Sequence, residues 1–503
     1  MKNQVQLIAY EDRLSGGGLV QLHRLIDGPL KGLFGGIHIL PFFHPIDGAD
    51  AGFDPIDHGL VDSRLGSWAD IQALSWDIDV MADLIVNHIS TKSPQFLDYL
   101  IQGDDSRYHG LFLTMASVFP RGSTEADLLR IYRPRPGLPF TPITLRNGQK
   151  HILWTTFTAQ QVDIDVRRPQ GKAYLRSILQ TFREGGVSMI RLDAVGYAIK
   201  KPGTSCFMIP ETFEFIDEIA NYAKSLGIEV LAEVHLHFCQ QIEIAQRVDR
   251  VYDFALPPLI LHAFFNQTAS YVKQWLAISP RNAITVLDTH DGIGVIDIGA
   301  DATDPIGRSG LISPEQIDAL VKAIHERSGG QSREATGVAA SNLDLYQVNC
   351  TYYDALGRCD RDYLLARAIQ FFAPGIPQVY YVGLLAGENN MHLLEQTHVG
   401  RDINRHYYTC DEVEQALNKP VVQDLCRLIR FRKTHPAFNG NFTLQDTEDD
   451  LLGMRWDYAD EWAQLRIDFR DVTYELSYGN NGQVKDFAVM KHSENATSVP
   501  YNV

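Results

Sequence analysis

Two charges interrupt the apolar run Ser188-Met189-Ile190-Arg191-Leu192-Asp193-Ala194-Val195, and both are of types that do chemistry. Alternation along a strand puts Arg191 and Asp193 on one face, with Ile190, Leu192 and Ala194 on the other. A guanidinium beside a buried carboxylate holds it ionised, the state in which it is a nucleophile. The same pair in isolation also fits a structural ion pair. Two further sets bear on the choice: Glu233 and His235 share a face of the run 229–235, and His290-Asp291 follow the run 282–287. Three acids delivered to one place suit a glycosidic bond. Two carboxyls about 5 Å apart serve as nucleophile and acid, and a third stabilises the cationic transition state. Glu233, His235 and His237 also have a spacing that permits a metal, but adjacent Arg191 would repel a cation.

Bringing these residues together needs a scaffold that gathers strand ends. Residues 5–10, 36–41, 80–87, 188–195, 229–235, 250–255, 282–287 and 376–382 read as strands, and 19–30, 67–76, 170–185, 211–226, 361–373 and 421–436 read as helices. This beat predicts an α/β fold, a (β/α)8 TIM barrel, whose catalytic residues sit at the C-terminal ends of the strands. Asn87-His88, Arg191 with Asp193, Glu233 with His235, and His290-Asp291 all fall there. The beat stops twice, and long ordered interruptions commonly build or cover a site. The expected division is barrel over 1–88, an inserted subdomain over 89–165, barrel again over 166–292, a second insert over 293–357, and the barrel end with a closing helix over 358–436. Residues 437–503 form a C-terminal antiparallel β domain, because Ala463, Leu465, Ile467 and Phe469 alternate with polar residues.

The formal net charge is −17, from 45 Lys and Arg against 62 Asp and Glu, with no basic run. That predicts no nucleic-acid partner and no anionic membrane surface, so an anionic substrate would need a local positive pocket. Six cysteines lie scattered with no CxxC spacing, which indicates neither a zinc site nor a disulfide framework. No apolar run reaches about 18 residues, and residues 1–10 do not resemble a leader, so a cytoplasmic location is expected.

Asp83-x-x-x-Asn87-His88, Arg191-x-Asp193, Glu233 and His290-Asp291 resemble, in order and separation, the four signature regions of the α-amylase clan, glycoside hydrolase family 13. Gln161-Val162-Asp163-Ile164-Asp165 is similar to a fifth. Over nearly its whole length, and less closely after about residue 437, the chain resembles the bacterial sucrose phosphorylases. The residues carrying that likeness are Gly48-Ala49-Asp50-Ala51-Gly52-Phe53-Asp54, the loop Arg133-Pro134-Arg135-Pro136-Gly137-Leu138-Pro139-Phe140, and Ser341-Asn342-Leu343-Asp344-Leu345-Tyr346-Gln347-Val348-Asn349.

The resemblance implies a glycosyltransferase that converts sucrose and phosphate reversibly into α-D-glucose 1-phosphate and D-fructose, through a covalent glucosyl-enzyme. By the same resemblance Asp193 is the nucleophile, Glu233 the acid/base and Asp291 the transition-state stabiliser. Asp50, His88, Gln161, Arg191, His290 and Arg401 hold the glucosyl ring, and Phe53 and Phe157 present apolar faces to it. Arg135, Tyr197, His235, Leu343, Asp344, Tyr346 and Gln347 are the acceptor-side candidates: Asp344 and Gln347 toward fructose, Arg135 and Tyr346 toward phosphate. No cofactor is implied, and a homodimer is left open. Phosphorylases of sucrose 6'-phosphate or glucosylglycerol type, and an α-glucosidase, stay in view as alternatives. The presence of all three acids argues against a catalytically dead barrel. Where many amylases carry Lys-His after the nucleophile, Gly196-Tyr197 stands here, which argues against a longer glucan subsite. Beyond Asn87 the insert has no cluster of oxygen ligands for calcium, and no metal is expected. Gly292-Ile293-Gly294 opens like a nucleotide loop, but Asp297 replaces its final glycine.

Overall fold

A computed structural model describes residues 1–48, 51–133, 137–301, 307–338, 347–480 and 482–492. Eight parallel strands close into a barrel: β1 (Gln6–Ala9), β2 (Gly36–Ile39), β3 (Asp79–Ile85), β4 (Met189–Asp193), β5 (Glu229–Ala232), β6 (Arg250–Asp253), β7 (Ala283–Thr285) and β8 (Ile376–Tyr380). Neighbours in sequence are neighbours in the barrel, and β1 closes it by pairing with both β2 and β8. Both faces of these strands are covered, which is why they read as apolar runs rather than as alternation. All five residues of β4 are buried, the two charged ones included.

Helices connect the strands, six of them where the 3.6-residue pattern put them; those over Phe238–Ala245, Leu256–Asn266 and Ser270–Ile278 were not anticipated. The helices include α1 (Leu19–Asp27), α2 (Trp68–Ser75), α3 (Pro169–Glu184), α4 (Pro210–Ser225), α5 (Phe238–Ala245), α6 (Asp360–Phe372) and α7 (Pro420–Thr434). Ser67 and Asp70 form a reciprocal capping box that starts α2. Proline opens α3, α4 and α7, where the missing N–H is no loss.

Several strands end before their apolar runs do. The run 229–235 leaves the sheet after Ala232, and residues 233–237 are irregular until α5 begins. Glu233 and His235 therefore do not share a strand face, as their spacing suggested; a loop carries both. Burial continues past the last ladder bond, so hydropathy alone cannot mark where pairing stops. The second interruption, where the alternation of strand and helix stops, is itself partly helical. It holds a 14-residue helix, Pro314–Arg327, started by a capping box between Ser313 and Gln316, followed by a helix over Gln331–Val338.

Short antiparallel pairs pin both inserts to the barrel mouth. His88–Ser90 pairs with Gln161–Asp163, and Ile293–Gly294 with Gln347–Val348. After α7 the chain forms a five-stranded antiparallel sheet, β9 (Asn441–Leu444), β10 (Leu451–Tyr458), β11 (Glu461–Asp468), β12 (Thr473–Asn480) and β13 (Gln483–Asp486). Ala463, Leu465 and Ile467 point inward as the period-two pattern requires, and Trp456 Nε1 on β10 donates to Phe372 O at the end of α6. Among the described residues all six cysteines are free, and no helix is long and apolar enough to cross a membrane.

Candidate active site

Pairing register builds the centre of the site. Arg191 on β4 lies opposite Asp83 on β3, so two charged side chains meet inside the barrel. Arg191 Nη1 donates to Asp83 Oδ1 at 2.5 Å and to Asp193 Oδ1 at 3.0 Å, and Nη2 lies 3.3 Å from Glu233 Oε1. One guanidinium fork thus touches three acids, which limits how far Asp193 and Glu233 can lie apart. Asp83 is held in turn by His38 Nε2 on β2, at 2.9 Å. Burial alone would raise the Asp83 carboxyl, but His38 and Arg191 hold it well below the usual carboxylate range.

The chain turns sharply after Asp193. Ala194 takes a left-handed conformation, φ +53°, and its N–H donates to Glu233 Oε2 at 3.2 Å. Such a conformation is uncommon for a residue with a Cβ and is held here by its surroundings. The turn that follows the nucleophile candidate therefore also aims the acid candidate. Lys200, itself buried, bolts this turn to the insert: its ammonium donates to Asn87 Oδ1 at 2.8 Å, to Tyr197 O, and pairs with Asp163 Oδ2. Oxygens that could have held a cation at the end of β3 are engaged by a lysine.

Asp291, beyond β7, completes the trio of acids. Arg401 Nη1 lies 2.9 Å from its Oδ1, and Arg405 Nη2 and His290 Nε2 each lie 3.8 Å away. Burial would push this carboxyl up, yet Arg401, His290 and Arg405 hold it far below its ordinary range. Burial lowers the pKa of His290 well below the histidine norm. Its ring stacks on Phe53 with centroids 4.9 Å apart and planes 11° apart, and Arg191 lies over the same Phe53 ring. His88 Nε2 approaches Phe53 O at 2.9 Å and Gln161 Nε2 at 3.1 Å, so Gln161 reaches the site through His88.

Asp193, Glu233 and Asp291 line one pocket together with Phe53, His88, Phe157, Arg191, Tyr197, His235, His290 and Arg401. Gln347 extends an amide toward His235 Nε2 at 3.4 Å and receives Gly292 N–H at 3.4 Å. Asp50, Arg135, Leu343, Asp344 and Tyr346 lie outside the described residues. His237 turns away: its Nδ1 caps α5 through Cys239 N–H and its Nε2 meets Ser309 O, so the set Glu233, His235 and His237 is not assembled. Glu233, His235 and Asp291 do bring ligand atoms within 4.8 Å of one another. Arg191 and Arg401 already supply the positive charge beside those acids. Tyr132 and Phe207 are pocket residues that the sequence did not flag; both pack on Tyr197, and aromatics in unpatterned loops carry no positional signal.

The closed barrel and the strand-end acids define a catalytic domain of the α-amylase class, and residues 30–282 match the family model described as alpha amylase, catalytic domain. Sucrose phosphorylase from Agrobacterium vitis is 61% identical over 469 residues, covering 93% of this chain and 96% of that protein. Sucrose phosphorylase from Bifidobacterium adolescentis is 54% identical over 469 residues, covering 93% and 92%. The crystal structure of sucrose 6F-phosphate phosphorylase from Thermoanaerobacter thermosaccharolyticum matches with a TM-score of 0.89 at 38% identity, over 97% of this chain and 98% of that one. The chain belongs to the sucrose phosphorylase family of the α-amylase clan.

Proposed function

We propose that the protein catalyses the reversible phosphorolysis of sucrose to α-D-glucose 1-phosphate and D-fructose by double displacement. The observation that carries this reading is the Arg191 fork, which binds Asp193 and Glu233 at once. It sets a positive charge against Asp193, which favours the ionised form that attacks C1, and places Glu233 beside it within reach of the oxygen that leaves C1. In the first step Asp193 attacks C1, the C1–O bond to the fructosyl group breaks, and Glu233 gives its proton to the departing oxygen. In the second a phosphate oxygen attacks C1, the ester to Asp193 breaks, and the proton of the attacking hydrogenphosphate passes to Glu233. Two inversions leave the α-anomer. Asp291, ionised and neighbouring both steps, stabilises the positive charge that develops on the ring. The full-length likeness to two sucrose phosphorylases supports sucrose as the donor.

The test is product analysis with sucrose and excess phosphate. Glucose 1-phosphate and fructose should appear in equal amounts, with slow glucose release when phosphate is left out. Free glucose alone in excess phosphate would reject phosphorolysis, and a strong preference for sucrose 6'-phosphate or glucosylglycerol in a parallel panel would move the donor. Asp193→Asn should abolish the burst of fluoride from α-glucosyl fluoride, and a retained burst would remove Asp193 from the nucleophile's role.

A further inference from the structure

In the sequence Asp297 stands out only as the residue in place of the last glycine of a nucleotide-loop pattern. In the fold it lies fully buried on a short 3-10 turn, Ile296–Ile298, behind the acceptor side of the pocket. Its carboxyl receives three N–H groups: Leu236 N at 3.1 Å and Gln241 Nε2 at 2.8 Å on Oδ1, and His235 Nδ1 at 3.1 Å on Oδ2. Three donors on two oxygens suit a carboxylate, which accepts only, better than an acid with a proton of its own. Among the described residues the one ionic partner of Asp297 is His235. A buried carboxylate without a cation costs several kcal/mol, which favours a proton on the imidazole.

The rest of the surroundings fits a fixed imidazolium. The His235 ring stacks on Phe254 with centroids 4.0 Å apart and planes 16° apart, which sets its orientation. Its Nε2 then points into the pocket, 3.8 Å from Glu233 Oε1 and 3.4 Å from Gln347 Nε2. When Nε2 carries a proton, neither it nor the Gln347 amide nitrogen can accept from the other. Two donors that converge in this way are both satisfied by one acceptor oxygen lodged against them. Gly294 permits the arrangement, because a Cβ there would stand 2.7 Å from Asp297 Oδ2 and 3.4 Å from His235 Nδ1.

We infer that Asp297 is a positioning residue that holds His235 as an imidazolium, and that this cation, together with the Gln347 amide that the resemblance turned toward fructose, receives an oxyanion of the incoming phosphate beside Glu233 once fructose has left. The inference rests on the proposed phosphorolysis and says how phosphate is favoured over water. Water gains little from a fixed cation, whereas a dianion gains a charge-assisted hydrogen bond. Among the described residues the groups that set the charge of His235 are Asp297 from the 3-10 turn, Glu233 from its own loop and Asp291 beyond β7. Phe254 and Gln347 are neutral. Burial lowers the His235 pKa, but Asp297, then Glu233 and Asp291, outweigh it and raise it above the histidine norm.

Asp297→Asn keeps the shape and removes the charge. The KM for phosphate should rise about ten- to hundredfold, the range of one charge-assisted hydrogen bond. The burst of fluoride from α-glucosyl fluoride, which needs no phosphate, should change less than about threefold by the same reasoning, and a larger share of sucrose should be hydrolysed. A raised pKa means that the cation is present below it and lost above it. Phosphate KM should therefore worsen as pH rises, and in Asp297→Asn that limb should move to lower pH; comparison with wild type cancels the ionisation of phosphate itself. An unchanged phosphate KM, an unmoved limb, or equal losses in the burst and in phosphorolysis would overturn the inference. If Asp297→Asn does not fold, His235→Asn carries the test through the same phosphate KM, and a wild-type value there overturns it equally. Wild-type enzyme that makes no glucose 1-phosphate would instead sink the proposed function, so the two failures are distinguishable.

Discussion

Replacing Arg191 with lysine separates a structural ion pair from a catalytic brace. Arg191 is 3% exposed and holds Asp83, Asp193 and Glu233 at 2.5, 3.0 and 3.3 Å with two nitrogens of one fork. A lysine ammonium is a point charge on a longer-jointed stem. It can stay on Asp83, the most deeply buried partner, but it cannot fork to the other two. Losing two charge-assisted contacts of about 1.5–3 kcal/mol each removes about 3–6 kcal/mol. At about 1.4 kcal/mol per decade, that is about 10²–10⁴ in the rate of glucosyl-enzyme formation. Because one cation remains among the acids, folding should suffer less than in Arg191→Ala, where breaking a buried pair outright typically costs about 3–5 kcal/mol. The assay is the rapid-quench burst of fluoride from α-glucosyl fluoride, run beside thermal unfolding. A burst within tenfold of wild type in a protein of lowered melting temperature would refute the brace and leave Arg191 as a structural residue.

Three other substitutions have defined outcomes. Glu233→Ala should lose about 10²–10⁴ in turnover of sucrose, yet still accept glucose from α-glucosyl fluoride, which needs no proton to depart, and azide should restore turnover; equal losses on both donors would count against the acid role. Arg135→Ala, at a position taken from the sequence resemblance, should weaken phosphate more than sucrose and raise the share of hydrolysis, measured as the ratio of glucose 1-phosphate to glucose. Burial lowers the pKa of His58 to about 4, against about 6.5 in an unfolded chain. A depressed histidine contributes its stability fully above the unfolded value and loses it as pH falls from about 6.5 to about 4, here about 3 kcal/mol. Denaturant titrations across that window should show a shallower decline in His58→Gln, and identical slopes would discard the assignment.

The barrel was legible because its signals are local. Apolar runs and 3.6-residue stripes record which residues each element buries, and a capping box such as Ser67 with Asp70 records where a helix begins. The order of chemistry-bearing residues near strand ends was legible for the same reason, so Asp193, Glu233 and Asp291 could be named together from the sequence. What holds them was not. Asp83 and Arg191 are 108 residues apart, Asn87 and Lys200 113, and His235 and Asp297 62. Each pair meets only because the barrel closes and the inserts fold back on its mouth. A polar contact across a closed sheet leaves no periodicity in either partner, so an acid that steadies a histidine looks, in the sequence, like any other acid. The strand-to-loop change at Ala232 was hidden likewise, since burial continues where pairing stops. Residue types and spacing determined which chemistry was available, and tertiary closure decided which groups touch, because charge pairing acts over a few ångströms of space and not along the chain.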